Sequence, residues 1–281
     1  MTIFVPYDCK NHCPFCINKG EYADMTGFSL EKICRSIERM DAITPDCDFV
    51  FTGGEPFANL ESLQVMLDKI PTTHKVYINT TLPVSEHQSE ADILAFAERN
   101  RHKITCINVS RHMQHYVVES NDGLLSKLPV LPGELRAVQE LSRRAAGALY
   151  GAVPQAPGRS IQFRFDYTAT TPENLYEEEG DKILQDLKKV ARYTGLDGCR
   201  MRCGFHFDYK GMELTYHKTL PYSTIVETDP VSGVTYDILY DILIKQNGDI
   251  HSDWDGTPLD VDAYEKVVFE PYDLRWLARI A

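Results

Sequence analysis

The chain has 281 residues, of which 43% are hydrophobic and 25% charged, and this composition is typical of a globular protein rather than a disordered or fibrous one. Its formal net charge of -12 argues against a long nucleic acid partner, which would require a basic face to neutralise phosphates. No stretch approaches the roughly 20 consecutive apolar residues of a membrane helix, and the N-terminus lacks the features of a signal peptide. We therefore expect a cytoplasmic protein that does not associate with a membrane.

The first half of the chain alternates short apolar runs with segments of helical periodicity. This alternation predicts successive βα units and hence a parallel sheet. The predicted elements are a strand over residues 2–5, a helix over 29–40, a strand over 48–52, a helix over 59–70, a strand over 75–79, a helix over 90–100 and a strand over 105–110.

The pattern weakens over residues 111–155, where we predict a long connection over 112–131 and a helix over 132–149. A strand over 160–165 and a helix over 182–193 follow. Beyond Gly195 the sequence becomes aromatic and rich in β-formers, and the Asn-Gly pair at 247–248 predicts a hairpin. We therefore predict an α/β core over residues 1–200 and a β-rich extension over residues 201–281 that closes the substrate side.

A CxxxCxxC loop, formed by Cys9, Cys13 and Cys16, directly follows the first predicted strand. Three thiolates on one loop can hold three irons of a [4Fe–4S] cluster and leave the fourth iron without a protein ligand. The alternative is a zinc site, but structural zinc normally takes four ligands from two separated pairs. His12 could complete such a set, although its place inside the loop gives poor tetrahedral geometry.

Gly53 and Gly54 follow the second predicted strand and precede Glu55 and Pro56. The carboxyl ends of parallel strands are where α/β barrels build their sites. Glycine lets the backbone approach a ligand closely, so that carbonyl and amide groups can meet an ammonium group. Taken alone, the Gly-Gly pair would also fit a plain turn before a helix.

Together, the CxxxCxxC loop, an aromatic residue just before its last cysteine and the Gly-Gly-Glu-Pro segment resemble the radical S-adenosylmethionine superfamily over roughly residues 1–200. The resemblance implies a partial (β/α)6 barrel with a C-terminal β-rich extension, a [4Fe–4S] cluster and S-adenosylmethionine as cosubstrate. It also implies an electron donor such as flavodoxin or ferredoxin. The residues that it assigns are Cys9, Cys13 and Cys16 as iron ligands, Phe15 against the adenine, and Gly53, Gly54 and Glu55 around the methionine amino group.

Asn79 ends the third strand in a segment similar to the family's Thr-Asn-Gly, with Thr80 in place of the glycine. Asn108, Ser110 and Arg111 end the fourth strand, where the family places polar residues against the ribose hydroxyls and the methionine carboxylate. A hydroxyl and a guanidinium suit these partners. A helix cap explains Ser110 equally well, and a solvated charge explains Arg111.

Polar residues alternate with apolar ones through the strand predicted over residues 160–165, so Gln162, Arg164 and Asp166 face one side. That side is either the interior of a barrel or an exposed edge, and we favour the interior. No catalytic residue is assigned.

Cys199 and Cys203 suggest a second cluster, which usually needs three or four cysteines. The remaining cysteines, Cys34, Cys47 and Cys106, lie within or beside predicted helices and strands, where cysteine behaves as a small buried hydrophobe. An auxiliary cluster, redox-active thiols, substrate contacts and plain structural thiols stay open for Cys199 and Cys203.

The resemblance implies an enzyme that cleaves S-adenosylmethionine reductively to a 5′-deoxyadenosyl radical, which abstracts hydrogen from a small-molecule or nucleotide substrate. A second hypothesis is modification of a ribosomally made peptide, but no separate peptide-binding domain is evident. A third is an iron–sulfur regulatory or electron-transfer protein, against which the Gly-Gly-Glu-Pro segment and the βα scaffold argue.

Overall fold

A computed structural model of the chain describes residues 1–7, 9, 16, 25–44, 47–83, 88–110, 124, 127–128, 135–140, 159–164, 178–196, 204–217, 224–228, 233, 235–239, 242–252, 257–261, 266–269 and 275–280. The chain divides into two compact units. Unit 1 consists of Met1–Cys9, Asn18–Ile78 and Tyr222–Ala281, and unit 2 consists of Lys10–Ile17 and Asn79–Pro221. The sequence-based boundary at residue 200 stays a prediction. Within the described ranges, no helix is long and apolar enough to span a membrane.

The main sheet of unit 1 has the order β13-β12-β1-β2-β3. Its strands are β1 (Thr2–Val5), β2 (Phe49–Gly53), β3 (Val76–Thr80), β12 (Leu243–Ile244) and β13 (Ile250–His251). β12, β1, β2 and β3 are parallel, and only β13 is antiparallel to its neighbour. The last two residues of β3 are counted with unit 2. The βα alternation predicted for the first 80 residues therefore forms a parallel sheet.

A second sheet of unit 1 is antiparallel and has the order β10-β11-β15-β14. It is formed by β10 (Thr224–Thr228), β11 (Thr235–Leu239), β14 (Lys266–Phe269) and β15 (Arg275–Ile280). The β-rich extension over residues 201–281 stays a prediction, whereas the hairpin is confirmed, because Asn247 and Gly248 lie in the turn between β12 and β13.

Helices α1 (Leu30–Ile43) and α2 (Leu60–Lys69) belong to unit 1. α1 begins as predicted at Ser29, whose side chain accepts a hydrogen bond from the Lys32 amide. Its apolar residues recur at helical spacing and are buried, which stabilises the fold by about 1.5–3 kcal/mol for each large side chain. They are Ile33, Cys34, Ile37 and Met40.

The C-terminal hairpin holds the chain at the start of α1. The carbonyl of Gln246 accepts a hydrogen bond from the Ser29 amide at 2.9 Å, and its side-chain amide donates to the Thr26 carbonyl at 2.8 Å. Ser36 of α1 donates to the Gly248 carbonyl. Residues more than 200 positions apart thus fix the entry into α1.

The sheet of unit 2 has the order β4-β5-β6-β9-β8-β7. Its strands are β4 (Cys106–Ser110), β5 (Leu135–Glu140), β6 (Arg159–Arg164), β7 (Arg192–Leu196), β8 (Gly204–Tyr209) and β9 (Met212–His217). The first four strands in this order are parallel, and β8 and β7 are antiparallel to their neighbours. The helices described in this unit include α3 (Glu90–Arg99) and α4 (Lys182–Val190).

One prediction for this unit was wrong, and another was confirmed except for the end of the element. Residues predicted as helix over 132–149 contain β5, which pairs with β4 on one side and β6 on the other, so tertiary pairing overrides local helical propensity. The helix predicted over 182–193 ends at Val190, because Arg192 and Tyr193 pair with β8. The strand predicted over 160–165 is confirmed as β6.

The apolar core of unit 2 lies between α4 and one face of β8 and β9. Its buried members are Leu184, Leu187, Phe205, Phe207, Met212, Leu214 and Tyr216. Residues alternate between faces along a strand, so the neighbours of these side chains on β8 and β9 point to the opposite face of the sheet.

Candidate functional site

The described cysteines fall into two groups. Cys9 and Cys16 are partly exposed, whereas Cys34, Cys47 and Cys106 are buried. Cys9 lies four residues beyond the end of β1, as predicted for the loop. Cys13 lies outside the described residues. The two described members of the loop are thus accessible thiols, which fits the thiolate donor set of an iron–sulfur cluster.

The buried cysteines are packed into the fold, as their positions in helices and strands predicted. Cys34 lies on α1, and burial raises the pKa of its thiol. Cys106 is 1% exposed at the start of β4 and donates to the Asn108 side chain at 3.4 Å. Within the described part of the chain, no three His, Cys, Asp or Glu side chains are grouped to hold a metal ion.

The Gly-Gly-Glu segment lies against the chain that leads from β1 to Cys9. Val5 pairs with Gly53 in the sheet, and the Val5 carbonyl accepts a hydrogen bond from the Gly54 amide at 2.8 Å. The Tyr7 carbonyl accepts one from the Glu55 amide at 3.0 Å. Backbone hydrogen bonds therefore connect this segment to the residues just before Cys9.

Gly53 has a backbone reason for being glycine. Its φ of +120° lies in a region that other residues rarely adopt. A Cβ built at Gly53 would lie 2.4 Å from the Val5 carbonyl oxygen and 2.7 Å from the Val5 amide nitrogen. The close approach of β1 and β2 thus requires glycine at this position, whether or not a ligand is bound.

Glu55 is 2% exposed, and its Oε1 accepts a hydrogen bond from the Phe57 amide at 3.0 Å. This bond caps the 3-10 helix Pro56–Ala58. Tyr7, on the facing segment, is also buried, and burial raises the pKa of its hydroxyl. The nearby Ser62 side chain lowers the pKa of this hydroxyl and so offsets part of the rise. Tyr7 Oη nevertheless has no partner of good hydrogen-bond geometry in the described structure.

Polar residues end β3 and β4 in unit 2, as predicted. Asn108 Nδ2 donates to Asn79 Oδ1 at 2.8 Å, so these two amides form a bridge. Asn79, Asn108 and Ser110 are partly exposed, whereas Ile107 and Val109, on the other face of β4, are fully buried. The partly exposed face can therefore offer amide and hydroxyl groups to a ligand.

Thr80, which stands where the resembling family has a glycine, makes a local hydrogen bond. It is 2% exposed, and its Oγ1 accepts a hydrogen bond from the Leu82 amide at 2.9 Å. Leu82 has a φ of +54°, so the chain turns sharply after β3. The Thr80 side chain therefore stabilises a turn.

Other predicted site residues lie outside the described residues. They are Cys13, Phe15, Arg111 and Asp166, together with Cys199 and Cys203. The backbone of Arg164 belongs to β6. Gln162, by contrast, is described and is 8% exposed, so at this position the exposed-edge interpretation is wrong.

Sequence reasoning missed the polar residues of β9 and the serine that precedes Gln162 on the same face. Ser160 is 2% exposed and Thr215 is 0% exposed. The signal was present, because Glu213, Thr215 and His217 alternate with apolar residues just as the polar residues of β6 do.

Comparison with known proteins finds a family match in the N-terminal part of the chain. Residues 1–100 match the family described as a 4Fe-4S single cluster domain. This range contains the CxxxCxxC loop and the Gly-Gly-Glu segment. A search of the curated proteins finds no match to the chain. The family match supports an iron–sulfur protein with a [4Fe–4S] domain in residues 1–100.

Proposed function

We propose that the protein is a radical S-adenosylmethionine enzyme with a partial (β/α)6 barrel, acting on a small molecule or nucleotide. The observation that carries this proposal is the anchoring of Gly54 and Glu55 on Val5 and Tyr7, immediately before Cys9. A cluster and a cosubstrate that share one iron require their two binding segments to be adjacent. The matching family is associated with radical S-adenosylmethionine enzymes, which supports the same conclusion.

Cys9, Cys13 and Cys16 would hold the cluster, and their thiolates are its ordinary ligands. When bound, the cluster supplies one electron for cleavage of the sulfonium, so that a 5′-deoxyadenosyl radical takes hydrogen from the substrate. The protein would bind and orient the cosubstrate and exclude water from the radical. A flavodoxin or ferredoxin would supply the electron.

By the resemblance, Gly53, Gly54 and Glu55 bind the methionine amino group. Packing against Val5 already explains why residue 53 is glycine. A ligand is therefore needed only to explain Gly54 and Glu55. Phe15 would contact the adenine. The residues that would meet the ribose hydroxyls and the carboxylate are Asn79, Asn108, Ser110 and Arg111.

Reduced protein is incubated with S-adenosylmethionine, and 5′-deoxyadenosine is measured. The expected result is 5′-deoxyadenosine from protein reconstituted anaerobically with iron and sulfide and reduced with dithionite. An iron–sulfur regulator or electron carrier forms none, and that outcome would overturn the proposal. Peptide modification would instead appear as 5′-deoxyadenosine formation that only a peptide substrate stimulates.

A triple change of Cys9, Cys13 and Cys16 to Ala should remove the oxygen-sensitive cluster and abolish 5′-deoxyadenosine formation. Iron analysis and Mössbauer spectra measure the loss. Cys34→Ala is the matched control, because Cys34 is buried in α1 and should not bind iron. Retention of four irons per chain in the triple variant would contradict the ligand assignment. Survival of about half of a larger iron content would instead indicate a second cluster, with Cys199 and Cys203 as candidate ligands.

A further inference from the structure

One face of β6, β9 and β8 in unit 2 is polar. By register, Gln162 of β6 lies beside Thr215 of β9, which lies beside His206 of β8. Ser160 and Glu213 lie two residues before Gln162 and Thr215, and so occupy the same face. These five residues are called the polar face below. The opposite face of β8 and β9 carries the apolar core against α4.

The centre of the polar face is buried. Ser160, Gln162 and Thr215 are 2%, 8% and 0% exposed. Its rim is more open, because the His206 and Glu213 side chains are 29% and 37% exposed, with His206 Nδ1 3.3 Å from Glu213 Oε1. The centre of the polar face is therefore shielded from solvent, whereas its rim is open to it.

Two hydroxyls at the centre have no hydrogen-bond partner among the described residues. Ser160 Oγ and Thr215 Oγ1 are buried, and neither bonds to any group in the described structure. A buried hydroxyl without a partner costs free energy that Ala or Val at the same place would not. The two hydroxyls lie on adjacent strands and on one face of the sheet.

We propose that the polar face binds a neutral, polyhydroxylated small molecule. Ser160 and Thr215 lie one strand and two residues apart, which separates them by about 8 Å, given about 4.8 Å between strands and about 3.3 Å per residue. A sugar ring with its substituents spans this distance and offers each hydroxyl a donor or an acceptor. The Gln162 carboxamide can donate to one ligand hydroxyl and accept from its neighbour.

The described carboxylates of this face are paired with cationic groups, which favours a neutral ligand over a charged one. Glu213 Oε1 at the rim lies 3.3 Å from His206 Nδ1, and Asp208 Oδ2, opposite Glu213 on β8, lies 3.9 Å from Arg192 Nη2. Arg164 also shares this face by its position in β6. The ligand chemistry is a set of adjacent hydroxyls, which either a free sugar or the ribose of a nucleoside carries. The inference rests on the proposed function only in taking this ligand to be the substrate.

Stability provides the first test. Removing a hydroxyl that bonds only to a ligand should not destabilise the unligated protein, whereas removing a hydroxyl that makes a hydrogen bond within the fold should. Thr215→Val and Ser160→Ala should leave the thermal midpoint of unligated protein unchanged or raise it. Thr44→Val is the matched control, since Thr44 is 3% exposed and its hydroxyl donates to the Met40 carbonyl at 2.7 Å. Its midpoint should fall. A fall of equal size in Thr215→Val would overturn the inference.

Binding provides the second test, with anaerobically reconstituted protein and isothermal titration calorimetry. The probes are uridine and methyl α-D-glucopyranoside, and inorganic phosphate is the anionic comparison. One neutral probe should bind with a Kd of about 1 mM or tighter, and Thr215→Val should weaken it about tenfold. Which probe binds identifies the source of the hydroxyls. Binding of phosphate alone, of neither neutral probe, or of a probe equally by wild type and Thr215→Val would overturn the inference.

The two proposals fail separately. Wild-type protein that binds a neutral probe but forms no 5′-deoxyadenosine overturns the proposed function and leaves the ligand site intact. Wild-type protein that forms 5′-deoxyadenosine, while Thr215→Val binds the probe as tightly as wild type, overturns the ligand site alone.

Discussion

Each unit contains a buried polar cluster, and the two clusters differ in how their hydrogen bonds are satisfied. In unit 1, His74 has a fully buried side chain with Nε2 2.6 Å from Asp41 Oδ1 and Nδ1 2.7 Å from the Cys47 carbonyl oxygen. In unit 2, the hydroxyls of Ser160 and Thr215 are just as buried and have no partner in the described structure. Burial alone therefore does not indicate a binding site. A buried group that lacks a hydrogen-bond partner needs a further explanation, and at Ser160 and Thr215 the explanation proposed above is a ligand.

The same contrast appears between two strand ends. Where β2 ends in unit 1, the amides of Gly54 and Glu55 donate to the last residue of β1 and to the chain just beyond it, and the neighbouring β1 backbone leaves no space for a side chain at Gly53. Where β3 and β4 end in unit 2, Asn79 and Asn108 bond to each other and are partly exposed. The first end is fixed by its own backbone, whereas the second presents side chains.

The largest loss of stability is expected for Gly53→Ala. The new Cβ meets the Val5 carbonyl oxygen at 2.4 Å, and the backbone has a φ of +120°. Overpacking and backbone strain should together cost about 3 kcal/mol or more. Urea denaturation followed by circular dichroism measures the change.

Gly211→Ala separates the two causes. Gly211 has a φ of +82°, but a Cβ there meets nothing within 4 Å, so only backbone strain of about 1–2 kcal/mol is expected. Equal losses in the two variants would show that β1 moves aside at little cost, and the strand end in unit 1 would then not be rigid.

His74→Ala should cost about 2–4 kcal/mol, because it removes a buried ring and leaves the Cys47 carbonyl without its donor. Asp41→Asn is the milder comparison, since an amide oxygen can still accept from His74 and only the charge is lost, at about 1 kcal/mol. Thermal and urea denaturation measure both. A His74→Ala variant as stable as wild type would mean that satisfied and unsatisfied clusters do not differ in stability, which would remove the basis of the contrast.

Tyr216→Phe compares the two faces of one strand. Tyr216 is fully buried in the apolar core next to Thr215 in the chain, and its hydroxyl donates to Asp181 Oδ2 at 2.7 Å. Removing that hydroxyl should cost about 1.5–3 kcal/mol, the range for a hydrogen bond to a charged group. Thr215→Val, which also removes one hydroxyl, should cost nothing. Similar losses in the two variants would contradict the distinction between the faces.

Tyr216 also predicts a pH dependence. Burial, followed by the negative charge of Asp181, raises the pKa of Tyr216 well above its ordinary value of 10.0. The unfolded chain therefore loses this proton first, so the contribution to stability is complete below about pH 10 and falls as the pH rises further. Tyr216→Phe should remove this part of the alkaline slope. Identical slopes in both proteins would show that the folded state does not perturb the hydroxyl.

The sequence predicted the elements that local signals define. Ser29 before an apolar helical repeat located α1, and the Asn-Gly pair at 247–248 located the hairpin. It failed where distant partners decide, because β5 is a strand only through its pairing with β4 and β6. No local rule predicts that β12, the first strand of this hairpin, pairs in parallel with β1.

The candidate site shows the same limits. The cysteine spacing and the Gly-Gly-Glu segment led to the region that the family match covers. The sequence predicted that another group approaches Gly53 closely. The expected group was a ligand, whereas in the structure it is the backbone of Val5. Thr215 was missed because alternation in a strand shows that residues share a face, but not whether that face is buried or what its groups bond to.

The smallest effect is expected at an exposed pair, where water replaces any lost partner. Ser89 and Asp92 form a capping box at the start of α3, with Asp92 Oδ2 accepting from the Ser89 amide at 2.8 Å. Hydrogen bonds from the Ser89 hydroxyl and amide lower the pKa of Asp92 from its ordinary value of 3.8. Because folding lowers the pKa of Asp92, the ionised carboxylate stabilises the folded state at pH values above the ordinary pKa of 3.8. This stabilisation is lost as the pH falls through the pKa of the folded state. Carbon-detected NMR titration should show the Asp92 pKa rising toward 3.8 in Ser89→Ala. Asp92→Asn should differ from wild type less at acidic than at neutral pH. An Asp92 pKa that stays the same in Ser89→Ala would show that the hydroxyl is not its partner in solution.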